Sequence, residues 1–212
     1  MKIQRAGIIA FLLFPLFFLF ITGNVMATEE TKYAVLEKEG HFELRQYEPC
    51  IAAETLVEGD FDEVGNAGFR RLFRYISGDN QAKRPISMTS PVAQEKRSEK
   101  ISMTAPVTQQ KGGNSWSIAF VMPAEYTMDT LPIPNDARIT LRAIPSRLLA
   151  AISYSGTWSE SRYEEHKALL DQMMSKRKLR TAGEYIYARY NPPFTPWFMR
   201  RNEVLVPVER IN

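Results

Sequence analysis

The sequence predicts an α+β fold in which two similar halves each supply two strands, a helix and further strands. Three observations carry this. Phe42-Glu43-Leu44-Arg45, then Ala53 and Gly59, are echoed 97 residues later by Ile139-Thr140-Leu141-Arg142, then Ala150 and Gly156, without a gap. Each echo leads into a helical pattern, at Phe61 in the first half and at Trp158 in the second. The rest reads as short strands punctuated by proline and glycine. The halves run from about residue 33 to 122 and from about 135 to 208, within a single domain spanning residues 28–212.

The first 27 residues differ in character from the remainder of the chain. Lys2 and Arg5 precede an apolar run from Ile8 to Ile21, and Gly23-Asn24-Val25-Met26-Ala27 closes it with small residues. This is the layout of a secretory signal cleaved after Ala27, and it predicts an exported protein, periplasmic or secreted. The competing reading is an anchor retained at residues 8–21, which would bring the chain to a membrane. Without this segment, 25 basic residues face 24 acidic ones. A near-neutral chain gives no electrostatic reason to expect nucleic acid. Cys50 is the single cysteine, so no internal disulfide is available and a hydrophobic core must hold the fold. Its apolar surroundings, Cys50-Ile51-Ala52-Ala53, suit a small buried hydrophobe better than a nucleophile.

The first helix is expected over residues 61–77, with Asp60 and Glu63 as a capping box and Gly78 as the stop. Phe69, Leu72, Phe73 and Ile76 form one apolar stripe, and Arg70, Arg71 and Arg74 lie opposite it or at its edges. Gly65 and Gly68 each lower helix propensity by about 1 kcal/mol, which makes sense where another group must approach closely. The second helix is expected over residues 159–178, with Thr157 and Glu160 as its capping pair and Tyr163, His166, Leu170 and Met173 facing inward. Glu184 to Tyr190 reads as a tyrosine-rich strand, Asn191 to Phe198 as a stiff aromatic loop, and Val204-Leu205-Val206 as a closing strand.

One phrase occurs twice. Ile86-Ser87-Met88-Thr89-Ser90-Pro91-Val92 returns 15 residues later as Ile101-Ser102-Met103-Thr104-Ala105-Pro106-Val107. Each copy reads as a short strand, with Ile and Met on one face and a proline ending the ladder. Met88 and Met103 either fill core or border a pocket for something large, flat and polarizable.

Catalytic constellations are missing from the sequence. His41 and His166 stand in no metal-ligand spacing, and no nucleophile elbow, phosphate loop or dinucleotide glycine pattern occurs. The run Arg70-Arg71-Leu72-Phe73-Arg74-Tyr75 supports either a solvated basic face or guanidinium groups that pair with the carboxylates of a ligand lying on Phe69 and Phe73. Arg200 and Arg201 offer a second such pair.

Several motifs together resemble the SOUL haem-binding family. They are Phe42-Glu43-Leu44-Arg45-Gln46-Tyr47, Gly68-Phe69-Arg70-Arg71-Leu72 with its exit Tyr75-Ile76-Ser77-Gly78, and both Met-Thr-x-Pro-Val copies. Phe120-Val121-Met122-Pro123 and Arg200-Arg201-Asn202-Glu203-Val204 complete the set. The resemblance implies a distorted antiparallel β-barrel made of two pseudo-repeats, with one helix from each packed outside. It also implies binding of haem or another tetrapyrrole, carried or buffered rather than transformed. The positions implied to hold the ligand are Phe69, Arg70, Phe73 and Arg74, with Met88 and Met103 as neighbours. Gln46 occupies the slot where some members carry a histidine proposed to bind iron, and His41 has the opposite strand parity. No catalytic residue and no resident metal is expected. The alternatives are a module for another hydrophobic carboxylic ligand, or an enzyme acting on a tetrapyrrole.

Overall fold

A computed structural model describes residues 28–83 and 98–211. The signal-like segment and the first copy of the repeated phrase, Met88 included, lie outside the described residues.

The first half contains β1 (Glu29–Glu30), β2 (Tyr33–Glu39), β3 (Phe42–Tyr47), β4 (Cys50–Val57) and helix α1 (Phe61–Ile76). It continues through β5 (Asn80–Gln81), β6 (Thr104–Ala105), β7 (Val107–Gly112) and β8 (Ser115–Val121). The second half contains β9 (Ile133–Pro134), β10 (Ile139–Ile144), β11 (Arg147–Tyr154) and helix α2 (Glu160–Ser175). It ends with β12 (Leu179–Thr181), β13 (Ile186–Arg189), a 3-10 turn (Trp197–Met199) and β14 (Asn202–Arg210).

The large sheet is antiparallel and runs β10-β4-β8-β7-β13-β14-β11-β3-β2, with β12 beside β14. The halves are joined strand to strand. In one ladder Phe42 faces Ile152; in the other Ile139 faces Thr55. Moving each residue by 97 positions, from one half to its counterpart in the other, turns one ladder into the other. Both helices have 16 residues, and the glycine ahead of each, Gly59 and Gly156, has a positive φ of 133° and 140°. The hydrogen-bonded path is nonetheless open among the described residues, ending at β10 and β2, and no closed barrel is found. The described residues thus form a large antiparallel sheet with two helices, the expected α+β architecture. The β2 edge is interrupted by a register shift between Val35 and Glu37 and carries Glu37, Lys38 and Glu39, features that discourage further strand pairing.

The sheet has two apolar faces. The helix-covered face holds the main core, including Phe42, Leu44, Ile118, Phe120, Val204 and Val206. The opposite face holds a smaller cluster of Tyr47, Leu149, Ala151, Ile186, Ala188 and Leu205. Helix α1 packs on β4 and β8 and buries Val64, Leu72, Tyr75 and Ile76. Gly68 explains how close it lies: a Cβ there would fall 2.4 Å from the Ile118 side chain.

Three local expectations need correction. Asp60 and Ser159 occupy the N-cap positions, but neither side chain makes a cap hydrogen bond, so the capping boxes do not form and Thr157 is not the cap. On the inner face of α2, Met174, expected beside the stripe, is the buried methionine, and Met173 packs against the core half-buried. The second Met-Thr-x-Pro-Val copy is not a full strand. Thr104 and Ala105 pair in parallel with Glu29 and Glu30, Pro106 interrupts the ladder because it has no N–H, and Val107 already belongs to β7, opposite Phe120 and Arg189.

Candidate functional site

The expected apolar stripe of α1 divides in two. Leu72 and Ile76 turn into the core, whereas Phe69 is half-buried and Phe73 is 47% exposed. Their rings stack, with centroids 5.7 Å apart and planes 12° from parallel, and Phe69 meets Phe120 edge-on. This second face forms one wall of a cleft of about 410 Å³. Gly65 and Asn66 extend that wall toward the start of the helix. Ala105, Val107 and Ile118 make the floor, and Met103 borders it. Pro192, Pro193 and Phe194 form the facing wall.

The facing wall is held up from its base. Arg200 donates from Nε to the carbonyl of Thr195 (2.8 Å) and from Nη2 to that of Pro193 (2.8 Å), while its guanidinium carbon sits 4.2 Å from the Trp158 ring centre. Trp158 is fixed in turn by a hydrogen bond from Nε1 to the Asn202 side-chain oxygen (2.8 Å) and lines the cleft.

One end of the cleft holds Arg189, the single charged side chain among the described residues lining it. Strand alternation places Arg189 beside Tyr187 on the helix-covered face. Its Nε donates to the Tyr163 hydroxyl (3.0 Å) and its Nη2 to the Gln109 side-chain oxygen (3.2 Å). The guanidinium carbon is 5.2 Å from the Trp158 ring centre. Gly65 leaves it room, since a Cβ there would lie 3.1 Å from Arg189 Nη1.

Of the sequence-derived positions, the cleft brings together Phe69, Phe73 and Met103. Arg70 and Arg74 are exposed and do not line it. Arg74 lies 3.7 Å from Asp136, a carboxylate shared with Arg71 at 3.8 Å and with Arg138 at 2.7 Å. Hydrogen bonds from Arg138 hold the Asp136 carboxyl well below the usual carboxylate range. Arg200 and Arg201 are also engaged by the protein itself, Arg201 with Glu30 (2.9 Å) and Glu203 (3.0 Å).

The first-strand and last-strand motifs meet on the opposite face of the sheet. Arg45 and Glu203 form a buried two-point ion pair at 2.7 and 2.9 Å, with side chains 3% and 1% exposed. Tyr190 donates its hydroxyl proton to Glu203 (2.7 Å), and Glu43 accepts from Arg45 Nε (2.7 Å). Burial opposes charge on Glu203, but the hydrogen bonds and charge of Arg45 outweigh it and hold the carboxyl below its ordinary value of 4.5. Burial pushes Tyr47 up to about 12.

Neither histidine lines the cleft. His166 is buried in α2, with Nδ1 2.7 Å from the Arg162 carbonyl and its ring stacked on Tyr154. His41 is exposed in the turn between β2 and β3. Gln46 donates to the Ser146 hydroxyl (2.8 Å). No cluster of three or more His, Cys, Asp or Glu that could hold a metal occurs among the described residues. Burial raises the Cys50 thiol pKa, which disfavours the nucleophilic thiolate.

A family model described as SOUL heme-binding protein matches residues 28–207. The chain belongs to the SOUL heme-binding protein family. Heme-binding protein 1 of Xenopus laevis is 29% identical over 186 residues, covering 87% of this chain and 93% of that one. Heme-binding protein 2 of Homo sapiens is 25% identical over 173 residues, covering 77% and 80%. Among solved structures, one described as a hydrolase from Listeria innocua superposes with a TM-score of 0.56 at 13% identity, covering 82% of this chain and 94% of that one. That likeness shows a shared fold alone.

Arg189, Gln109, Trp158 and the Pro192–Phe194 wall are the cleft residues that sequence reasoning missed. A signal for Arg189 exists in the sequence: it shares the parity of Tyr187 at the end of a tyrosine-rich strand.

Proposed function

We propose that this SOUL-family protein binds haem or a related tetrapyrrole in the cleft between α1 and the Pro192–Phe194 wall, and carries or buffers it without transforming it. The observation that carries the reading is the stacked Phe69–Phe73 pair, left accessible on the wall of an apolar cleft. A tetrapyrrole offers flat apolar faces that such a wall removes from water at about 25 cal/mol per Å². The cleft volume of about 410 Å³ falls within the ordinary range for small-molecule sites. Family membership and relatives named for haem binding support the ligand class.

Met103 is the one sulfur among the described lining residues, and no histidine lines the cleft. Binding without a strong axial ligand follows, with similar affinity for haem and metal-free porphyrin. The matched ladders, 97 residues apart, favour an origin by internal duplication, with the sheet as a distorted form of a two-repeat barrel. The signal-like first 27 residues favour export.

Titration of the protein with haem and with metal-free protoporphyrin, followed by absorbance, tests the reading. Saturable binding of both with similar affinity is expected. A linear, non-saturating response to both would overturn it. Catalytic turnover of haem would replace carrying with chemistry.

A further inference from the structure

We propose that Arg189 is the carboxylate anchor of the cleft, so that the ligand lies with one acid group at the Trp158 end and its apolar body along Phe69 and Phe73. This deepens the tetrapyrrole reading and rests on it.

The cleft carries an imbalance of charge. A guanidinium placed among apolar walls loses hydration, and proteins ordinarily restore the balance with a carboxylate. Arg45 follows that rule through Glu203. Arg189 does not. Its hydrogen-bond partners are a phenol hydroxyl and an amide oxygen, both neutral, and no described residue lining the cleft carries a negative charge. Guanidinium presents five donors in a planar fork. Tyr163 and Gln109 engage Nε and Nη2, and Nη1 has no protein acceptor among the described residues.

The neighbours of Arg189 fix its orientation and leave that donor unused. Tyr163 is fully buried and Gln109 is buried, so both hold the guanidinium from rigid positions. Gln109 is itself oriented, donating to the Phe61 carbonyl (3.1 Å). Trp158 and Phe61 flank the cation at 5.2 and 5.9 Å. Gly65 supplies bare backbone where a side chain would crowd Nη1. A planar fork held in this way suits two-point recognition of a carboxylate.

Distance along the helix sets the direction of the ligand. Gly65 and Phe73 are eight residues apart on α1, or about 12 Å at 1.5 Å per residue. The acid end and the aromatic end of the cleft are therefore separated by roughly the reach of a flat macrocycle. Arg70 and Arg74 lie outside this line on the exposed side of the helix. The second acid group of the ligand then faces solvent, where exposed cations contribute little.

The test compares metal-free protoporphyrin with its dimethyl ester, titrated into the full chain and into Arg189→Met and Arg189→Lys. The unaltered protein is expected to prefer the diacid by about ten-fold, the size of one charge-assisted contact. Arg189→Met should bring the ratio of diacid to ester affinity down to about one, and Arg189→Lys should keep part of the preference. Two results overturn the assignment: no preference for the diacid in the unaltered protein, or an unchanged preference in Arg189→Met. The first needs no variant and stands even if Arg189→Met fails to fold. Equal, saturable binding of acid and ester in the unaltered protein removes the anchor and leaves the cleft reading intact. Absence of binding by either porphyrin removes both.

Discussion

Two arginines on opposite faces of one sheet divide the molecule. Arg45 is buried and fully answered, with Glu203 meeting it at two points and Glu43 and Tyr47 completing its shell. Arg189 is half-buried and held by neutral groups in a cleft with no described carboxylate on its walls. The first arrangement closes on itself and joins the start of the sheet to its last strand. The second leaves a donor facing an apolar hollow. The same side chain is thus answered by charge on one face and by neutral groups on the other.

The comparison breaks most visibly at Glu203. Glu203→Gln removes the two-point partner of buried Arg45, leaves Glu43 as its remaining carboxylate, and should cost about 3 kcal/mol in denaturant unfolding. Porphyrin preference should be unchanged in the fraction that folds. Equal stability of variant and parent would mean that the ion pair is not what fastens the opposite face. The pH dependence has a defined sign. The folded-state pKa of Glu203 is depressed, so its stabilisation is present above the unfolded value near 4.5 and is lost as pH falls through the lower folded value. An acid titration of stability should therefore fall more steeply in the parent than in Glu203→Gln.

Gly68→Ala gives the next largest effect. The added methyl would overlap Ile118, 2.4 Å away, and the overpacking should cost about 1–3 kcal/mol, outweighing the roughly 1 kcal/mol gain in helix propensity. A melting temperature at or above that of the parent would show that α1 can lift from β8 freely. Gly65→Ala is the matched variant at the cleft, where the crowded groups are the Arg189 guanidinium and the Gln109 side-chain oxygen that holds it, each 3.1 Å from the added methyl. It should lower affinity for the porphyrin diacid more than for the ester, with little change in melting.

Phe73→Ala sharpens the ligand side. Phe73 is 47% exposed, so stability should shift by no more than about 0.5 kcal/mol. Affinity for diacid and ester should fall together, by about ten-fold, for a lost contact of roughly 50 Å². Unequal losses would place the acid group beside Phe73 rather than at Arg189. The smallest effect belongs to Arg70→Ala, an exposed cation with no ion-pair partner among the described residues. Its binding should stay within about two-fold of the parent at physiological salt.

The fold is legible where local pattern and long-range packing agree. Helix α1 is expected over residues 61–77 and runs Phe61–Ile76, because its apolar spacing also faces the sheet. The two echoed strand pairs become β3–β4 and β10–β11, each six and then eight residues long. Cross-strand pairing is not legible, since nothing local says that β3 joins β11 rather than β4. The aromatic half of the site is visible as Phe69 and Phe73. The arginines the sequence offers, Arg70, Arg74, Arg200 and Arg201, do not line the cleft, and sequence shows cations but not the carboxylates or carbonyls that engage them. Asp136 and Glu30 reach Arg74 and Arg201 from distant parts of the chain, and the Pro193 and Thr195 carbonyls reach Arg200 across a loop.

The most direct test of the central claim is a crystal structure of the protein with metal-free protoporphyrin bound. The macrocycle is predicted to lie between Phe69–Phe73 and Pro192–Phe194, with one carboxylate on Arg189. Porphyrin seated anywhere else, with this cleft holding only solvent, would contradict that claim.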